Sequence, residues 1–314
     1  MAFFTHLTRR SLAQSAAMAN AIKNVTVIGS GLMGAGIAQV AAQTGHSVTM
    51  VDIDPVAVGK AEKRIADSIS RVAKKKFGEG DEATKFVSES LSRLRTSTDA
   101  VASVESADLV VEAIVENLKT KKELFSKLDN AAPAHTIFAS NTSSIPIAKI
   151  AEATNRLDRF GGLHFFNPVP VMKLLEVIKT SETSQATADA ITAWGKAMGK
   201  AIVHCKDTPG FIVNRVFVPY LLSCIRLLDE EVATRADIDL AIKLGLEYPM
   251  GPLELLDYLG IDTIYNICKE WREAYPDMPE FQIPPLLERM ISEGRFGKKI
   301  GKGFYDYKDQ VVFG

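Results

Sequence analysis

Apolar and polar positions follow two regimes along the chain. Up to about residue 205, short β-branched runs bounded by polar residues or glycine alternate with stretches of helical period; beyond residue 210 only the helical period remains. Val25-Thr26-Val27-Ile28, between Asn24 and Gly29, reads as a buried parallel strand. Residues 32–44, rich in alanine and closed by Gly45, read as a helix, and 46–51 as a second strand ending at Asp52. Pro55 then opens a helical pattern through Ile65, Ile69 and Val72. A Gly78-Glu79-Gly80 break separates it from a second amphipathic stretch ending at Leu94, which predicts a helical hairpin. Strands at 109–113, 136–139, 160–165, 174–178 and 201–203 are interspersed with helices at 119–128, 147–153 and 186–198. The expected fold is α/β: a doubly wound, mostly parallel sheet of Rossmann type carrying the inserted hairpin, followed by an all-α domain.

The break at Lys206-Asp207-Thr208-Pro209-Gly210 marks the boundary, giving domains at 21–207 and 208–314. A length of 314 residues makes two domains the default and one large α/β domain the fallback. In the helix expected at 211–231, Leu221, Leu222, Ile225, Leu228 and, just beyond, Val232 form an apolar face that a partner subunit or the domain's own helices must cover. With 37 basic and 38 acidic residues there is no positive excess for nucleic acid. No apolar run reaches the roughly 18 residues of a membrane span. Cys205, Cys224 and Cys268 show no C-x-x-C spacing, so neither a disulfide framework nor a zinc site is expected, and no metal. The first twenty residues contain Arg9 and Arg10, three hydroxyl residues before position 12 and no acid, the composition of a mitochondrial presequence; a frayed terminus is the alternative.

Gly29-Ser30-Gly31-Leu32-Met33-Gly34 is a G-x-G-x-x-G run between an expected strand and an expected helix. Gly29 permits the tight turn, Gly31 the approach of a pyrophosphate and Gly34 close helix–strand packing. Asp52 lies 18 residues beyond Gly34, where a carboxylate can accept hydrogen bonds from an adenosine ribose. Asp52 and Asp54 would repel an extra phosphate, so the expected cofactor is NAD rather than NADP. His164 and Glu176 lie six residues either side of Pro170. A hairpin turning there would bring them about 5 Å apart on one face, an imidazole held by a carboxylate as a general base needs. Taken alone, a strand histidine is more often structural. Lys74, Lys75 and Lys76 could meet phosphates or merely be a solvated helix face, and Ser143 could be a turn or cap residue.

The run from His164-Phe165-Phe166-Asn167-Pro168-Val169-Pro170 to Glu176 closely resembles the signature of the L-3-hydroxyacyl-CoA dehydrogenases. So do Ser140-Asn141-Thr142-Ser143-Ser144, the stretch from Lys206 to Arg215, and Tyr248-Pro249-Met250-Gly251-Pro252; the resemblance spans residues 23–307 and is greatest to the short-chain mitochondrial type. It implies that His164 takes the proton from the substrate 3-hydroxyl, that Glu176 orients it, and that Ser143 and Asn214 bind the reacting oxygen. It further implies cofactor contacts at Glu116, Lys121, Ser143, Asn167 and Lys299, and acyl-CoA contacts at Ser68, Lys75 and Ser143. Substrate would lie in the cleft between the domains, in a homodimer joined through the helical domain and located in the mitochondrial matrix. Ser30 stands where the family often has glycine, which leaves the three spacing glycines intact. Two other readings share parts of this pattern: a dehydrogenase of small hydroxy acids or sugar acids on the same fold, and a crystallin-like relative that keeps the nucleotide fold without turnover.

Overall fold

A computed structural model of the chain describes residues 22–307, so the expected presequence lies outside the described residues. Eight strands form one sheet: β1 (Asn24–Ile28), β2 (Ser47–Val51), β3 (Leu94–Ser97), β4 (Leu109–Glu112), β5 (Ile137–Ser140), β6 (Phe160–Phe165), β7 (Leu174–Lys179) and β8 (Ala201–Lys206), in the order β3-β2-β1-β4-β5-β6-β7-β8. The first six are mutually parallel; β7 runs antiparallel to β6, and β8 parallel to β7. The connecting helices are α1 (Leu32–Gln43), α2 (Pro55–Phe77), α3 (Asp81–Ser92), α4 (Leu118–Ala131), α5 (Ile147–Ala151) and α6 (Gln185–Ala197).

The central strands are apolar on both faces because both faces are covered. Leu109 and Val111 of β4 join one core with Val25, Val27, Ile37 and Trp194, while Val110 between them joins a second core with Phe125, Phe138 and Phe160 on the opposite face. That period-two division is what a continuous β-branched run means in a sheet flanked by helices. The α2–α3 hairpin is inserted between β2 and β3, with Asp54 capping α2 by accepting from Val56 N at 2.8 Å ahead of Pro55.

One strand departs from expectation. The amphipathic stretch taken to Leu94 ends as helix at Ser92, and Leu94–Ser97 becomes β3 at the sheet edge. Its Leu-Arg-Thr-Ser sequence has one apolar residue; the strand exists because Leu94 to Ser97 pair with Val48 to Val51 of β2, a long-range cause that no local pattern carries.

The chain divides into two compact units, one running through Phe211 and the other starting at Ile212. The second contains α7 (Val213–Asp229), α8 (Arg235–Gly245), α9 (Pro252–Leu259), α10 (Ile261–Ala274) and α11 (Pro285–Ser292). Leu221, Leu222 and Ile225 are buried in its own core with Ile264, Trp271, Phe281 and Leu287, so helices of the same unit cover that face; Val232 is exposed. Among the described residues no helix is long and apolar enough to cross a membrane.

Buried Asp257 of α9 ties down the end of the described chain, accepting from Phe304 N at 2.7 Å and Tyr305 N at 2.9 Å. Burial raises its pKa, against the opposing pull of those amides. Asp257→Ala orphans both amides and should destabilise the protein by roughly 3 kcal/mol, read from urea unfolding; a loss within error would show that the amides find other partners.

Candidate active site

The parallel strands deliver their carboxyl ends to one edge of the sheet, and the order reverses between β1 and β4, the place where doubly wound sheets bind nucleotides. Gly29 follows β1 with φ +106°, and a Cβ there would lie 2.4 Å from the Ala113 carbonyl oxygen. A Cβ on Gly34 would sit 1.8 Å from the Gly29 oxygen, whereas one on Gly31 would meet nothing within 4 Å. The open side at Gly31 leads to the first turn of α1, whose N-cap supplies no side-chain acceptor. Free amides, a helix dipole and an open approach are what a pyrophosphate needs, so the residues fit a dinucleotide. Within the loop, Met33 packs against the core and Leu32 is exposed.

Asp52 closes the far side. Its Oδ2 accepts from both the amide and the hydroxyl of Ser30 at 2.8 Å, and its Oδ1 accepts from Asp54 N at 3.2 Å. Burial raises its pKa, but the hydrogen bonds from Ser30 and from the amides of Asp54 and Ile53 outweigh it and hold the carboxyl below its usual value. A charged carboxylate therefore stands at the end of β2.

The antiparallel register of β6 and β7 pairs His164 directly with Glu176. The His164 Nδ1 lies 2.6 Å from Glu176 Oε2, with His164 5% and Glu176 0% exposed. The rings of Phe166 and Phe211 lie 4.6 and 5.4 Å from the imidazole. A carboxylate only accepts, so Nδ1 is the donor to it, and in the neutral imidazole the lone pair then sits on Nε2.

A second buried charge network lies at the ends of β4 and β5. Glu112, fully buried, accepts from Lys121 Nζ at 2.6 Å, Ile114 N at 2.8 Å and Ser140 Oγ at 2.6 Å. Lys121, 1% exposed, also reaches Glu116 at 3.2 Å. The other Glu116 oxygen gathers the loop after β5, accepting from the Thr142 hydroxyl, Ser143 N at 3.1 Å, and the amide and hydroxyl of Ser144. Burial raises the Glu116 pKa; the Lys121 ammonium and the Thr142 and Ser144 hydroxyls more than reverse this, so it lies below its usual value. Glu116 thus fixes the backbone at Ser143. Sequence reasoning gave no role to Glu112, Ser140 or Thr142; the signals were an acid ending the apolar run Leu109-Val110-Val111 and the Ser140–Ser144 run of the family signature.

A groove of about 850 Å³ runs between α1, α2 and the turn that includes Asn167 and Val169. Ser68 and Lys75, the expected acyl-CoA contacts, line it together with Arg64 and Arg71, which were not anticipated. The four are spaced 64, 68, 71, 75, one stripe of a helix. Lys74 instead pairs with Glu79 at 2.5 Å. Arg64 Nη2 donates to the carbonyl oxygens of Ser30 at 2.9 Å and Gly31 at 3.3 Å, holding the glycine loop from the groove side. Asn214 and Lys299 belong to the second unit: Asn214 in the first turn of α7, and Lys299 in a short 3₁₀ turn, paired with Asp262 at 2.6 Å.

The glycine loop with its acid, and an imidazole–carboxylate pair on the same sheet, fit an NAD-dependent dehydrogenase on a Rossmann-type sheet. A family model described as "3-hydroxyacyl-CoA dehydrogenase, NAD binding domain" matches residues 24–208, and one described as "3-hydroxyacyl-CoA dehydrogenase, C-terminal domain" matches 210–307. The chain belongs to the 3-hydroxyacyl-CoA dehydrogenase family, and its cofactor is NAD. It is 57% identical to the mitochondrial hydroxyacyl-coenzyme A dehydrogenase of Homo sapiens, covering 98% of this chain and 100% of the human protein. Among solved structures it is similar to the (S)-3-hydroxybutyryl-CoA dehydrogenase of Ralstonia eutropha, with a TM-score of 0.86 and 38% identity over 92% of this chain and 100% of that one. It is also similar to FadB2 of Mycobacterium tuberculosis, with a TM-score of 0.83 and 41% identity over 91% of this chain and 99% of that one.

Lys121→Met strands Glu112 as an uncompensated buried charge and should cost about 3–5 kcal/mol, measured by denaturant unfolding. A fully stable variant would mean that Glu112 is buried uncharged.

Proposed function

We propose that this chain catalyses the reversible oxidation of an L-3-hydroxyacyl-CoA to the 3-oxoacyl-CoA with NAD, the dehydrogenation step of fatty-acid β-oxidation, with His164 as the base. The 2.6 Å contact between His164 and Glu176 carries the reading. When bound, NAD supplies the hydride acceptor for the alcohol carbon. The glycine loop and Asp52 would hold it, with Glu116, Lys121, Asn167 and Lys299 as further contacts. His164 Nε2 takes the hydroxyl proton while the carbon–oxygen double bond forms, and Glu176 stabilises the imidazolium. In the reverse direction the same nitrogen returns the proton. Glu116 fixes the Ser143 loop, and Ser143 and Asn214 bind the reacting oxygen, strengthening as negative charge develops there. Phe166 and Phe211 keep bulk water from the imidazole.

The cationic stripe on α2, with Ser68 and Lys75, favours a substrate bearing several phosphates, as an acyl-CoA does, over a small free hydroxy acid. The buried, hydrogen-bonded His164–Glu176 pair argues against a crystallin-like relative without turnover. A homodimer is supported by the apolar side chains that the second unit exposes: Val216, Leu240, Leu244, Leu246 and Tyr258 are each 55–69% exposed. The mitochondrial names of the human and rat relatives and the basic, acid-free first twenty residues support a mitochondrial location, in the matrix.

His164→Gln should cut turnover of a 3-oxoacyl-CoA by about 10²–10⁴-fold while NADH binding by fluorescence titration stays near wild type; retained turnover removes the base assignment. Asp52→Ala should weaken NADH more than NADPH, and equal losses would remove the ribose contact. Leu244→Glu should shift the protein from dimer to monomer in sedimentation, and a mass that does not change would place the interface elsewhere.

A further inference from the structure

The turn that joins β6 to β7, over residues 166–173, leaves most of its side chains in solvent: Asn167, Pro168, Val171, Met172 and Lys173 are exposed. Within it, Pro168 O accepts from the amides of Val171 at 2.9 Å and Met172 at 3.0 Å. Two side chains pin its centre. Val169, 1% exposed, packs so closely on α1 that a Cβ on Gly36 would lie 2.8 Å from it. Lys200 Nζ donates to the carbonyl oxygens of Val169 at 2.5 Å and Met172 at 2.8 Å.

Lys200 is out of keeping with its surroundings. It is 9% exposed, it is held by backbone carbonyls and by no carboxylate among the described residues, and burial lowers its pKa. A buried ammonium without a counter-charge destabilises the fold, and an apolar side chain of similar length would pack there without that cost. What the ammonium alone supplies is a set of donors converging on two carbonyl oxygens of one turn. Its own backbone is fixed on both sides, since Lys200 N donates to Gly195 O at 3.1 Å at the end of α6 and Ala201 N to Lys173 O at 2.7 Å where β8 begins. The lysine therefore ties an exposed turn to α6 and β8.

We infer that Lys200 is a positioning residue for NAD: by holding the carbonyls of Val169 and Met172 it fixes the turn that presents Asn167 to the cofactor. The inference rests on the reading of Asn167 as a cofactor contact and adds the group that keeps Asn167 in place. Asn167 is exposed and lies two residues before the pinned Val169, so its position follows that of the turn. The strand register that pairs His164 with Glu176 lies outside the turn, so the lysine bears on cofactor binding and not on the base.

The test uses Lys200→Met, Lys200→Gln, Asn167→Ala and the Lys200→Met, Asn167→Ala double variant of the full chain, titrated with NADH by fluorescence and assayed with acetoacetyl-CoA. The expected result for Lys200→Met is a rise of about ten-fold in both Kd and KM for NADH. Its kcat and its KM for acetoacetyl-CoA should stay within about three-fold of wild type, and its melting temperature within about 5 °C. Lys200→Gln, which keeps a donor for one carbonyl, should fall between. In the Asn167→Ala background Lys200→Met should have no further effect on NADH binding, because the two residues act as one unit. An unchanged Kd for NADH overturns the inference. So do additive losses in the double variant, which would give Lys200 another route to the cofactor, a rise confined to the KM for acetoacetyl-CoA, which would place its effect in the groove, and a larger fall in melting temperature in both Lys200 variants, which would make the lysine structural. An Asn167→Ala variant that binds NADH as wild type does strikes the Asn167 reading and the inference with it; a weakened Asn167→Ala beside an unchanged Lys200→Met strikes Lys200 alone.

Discussion

The His164–Glu176 pair depends on one register. Among the described residues, β6 and β7 are the only adjacent pair in the sheet that runs antiparallel, and their pairing places His164 opposite Glu176 with 2.6 Å between Nδ1 and Oε2. A slip of one residue would turn every following side chain to the other face. The slip is opposed from both sides of the sheet, because Leu163, Phe165, Leu175 and Val177 are committed to one core while Phe160 and Ile178 are committed to the other. Hydrophobic packing sets the position of the imidazole, and the carboxylate sets its tautomer.

The buried charges at the ends of β4 and β5 repeat this logic with a different result. Glu112 and Lys121 are too deeply buried for solvent to compensate either of them, so each is held by the other and by Ser140, Ile114 or Glu116. The network adds little stability compared with apolar packing; what it contributes is position. Glu116 is fixed by Lys121 on one oxygen and fixes the loop of Ser143 with the other. Ser143 is thereby held through its own amide and through the Thr142 and Ser144 contacts on either side of it.

The legible parts of the molecule were those whose cause is local. β-branched runs, glycine spacing and the position of Asp52 are short-range patterns, and the His164–Glu176 pairing followed from the turn residues between them. β3 was missed because Leu-Arg-Thr-Ser becomes a strand only when β2 is beside it. Glu112 was missed because an acid at the end of an apolar run reads as a strand terminus until Lys121, nine residues on, is seen to fold back over it. The lysine run at 74–76 was read as one patch, yet successive helix residues point about 100° apart, and only Lys75 and Lys76 of the three line the groove.

Arg64 joins the glycine loop to the groove. Its guanidinium donates through one nitrogen to the carbonyl oxygens of Ser30 and Gly31, the loop that also holds the Asp52 carboxylate through Ser30. The same side chain lines the groove with Arg71 and Lys75. A planar fork has five N–H donors, so two carbonyl contacts leave capacity toward an anion in the groove. Because the contacts fall on backbone carbonyls, they constrain the loop whatever occupies it. The glycine loop and the groove therefore share one side chain in the first unit.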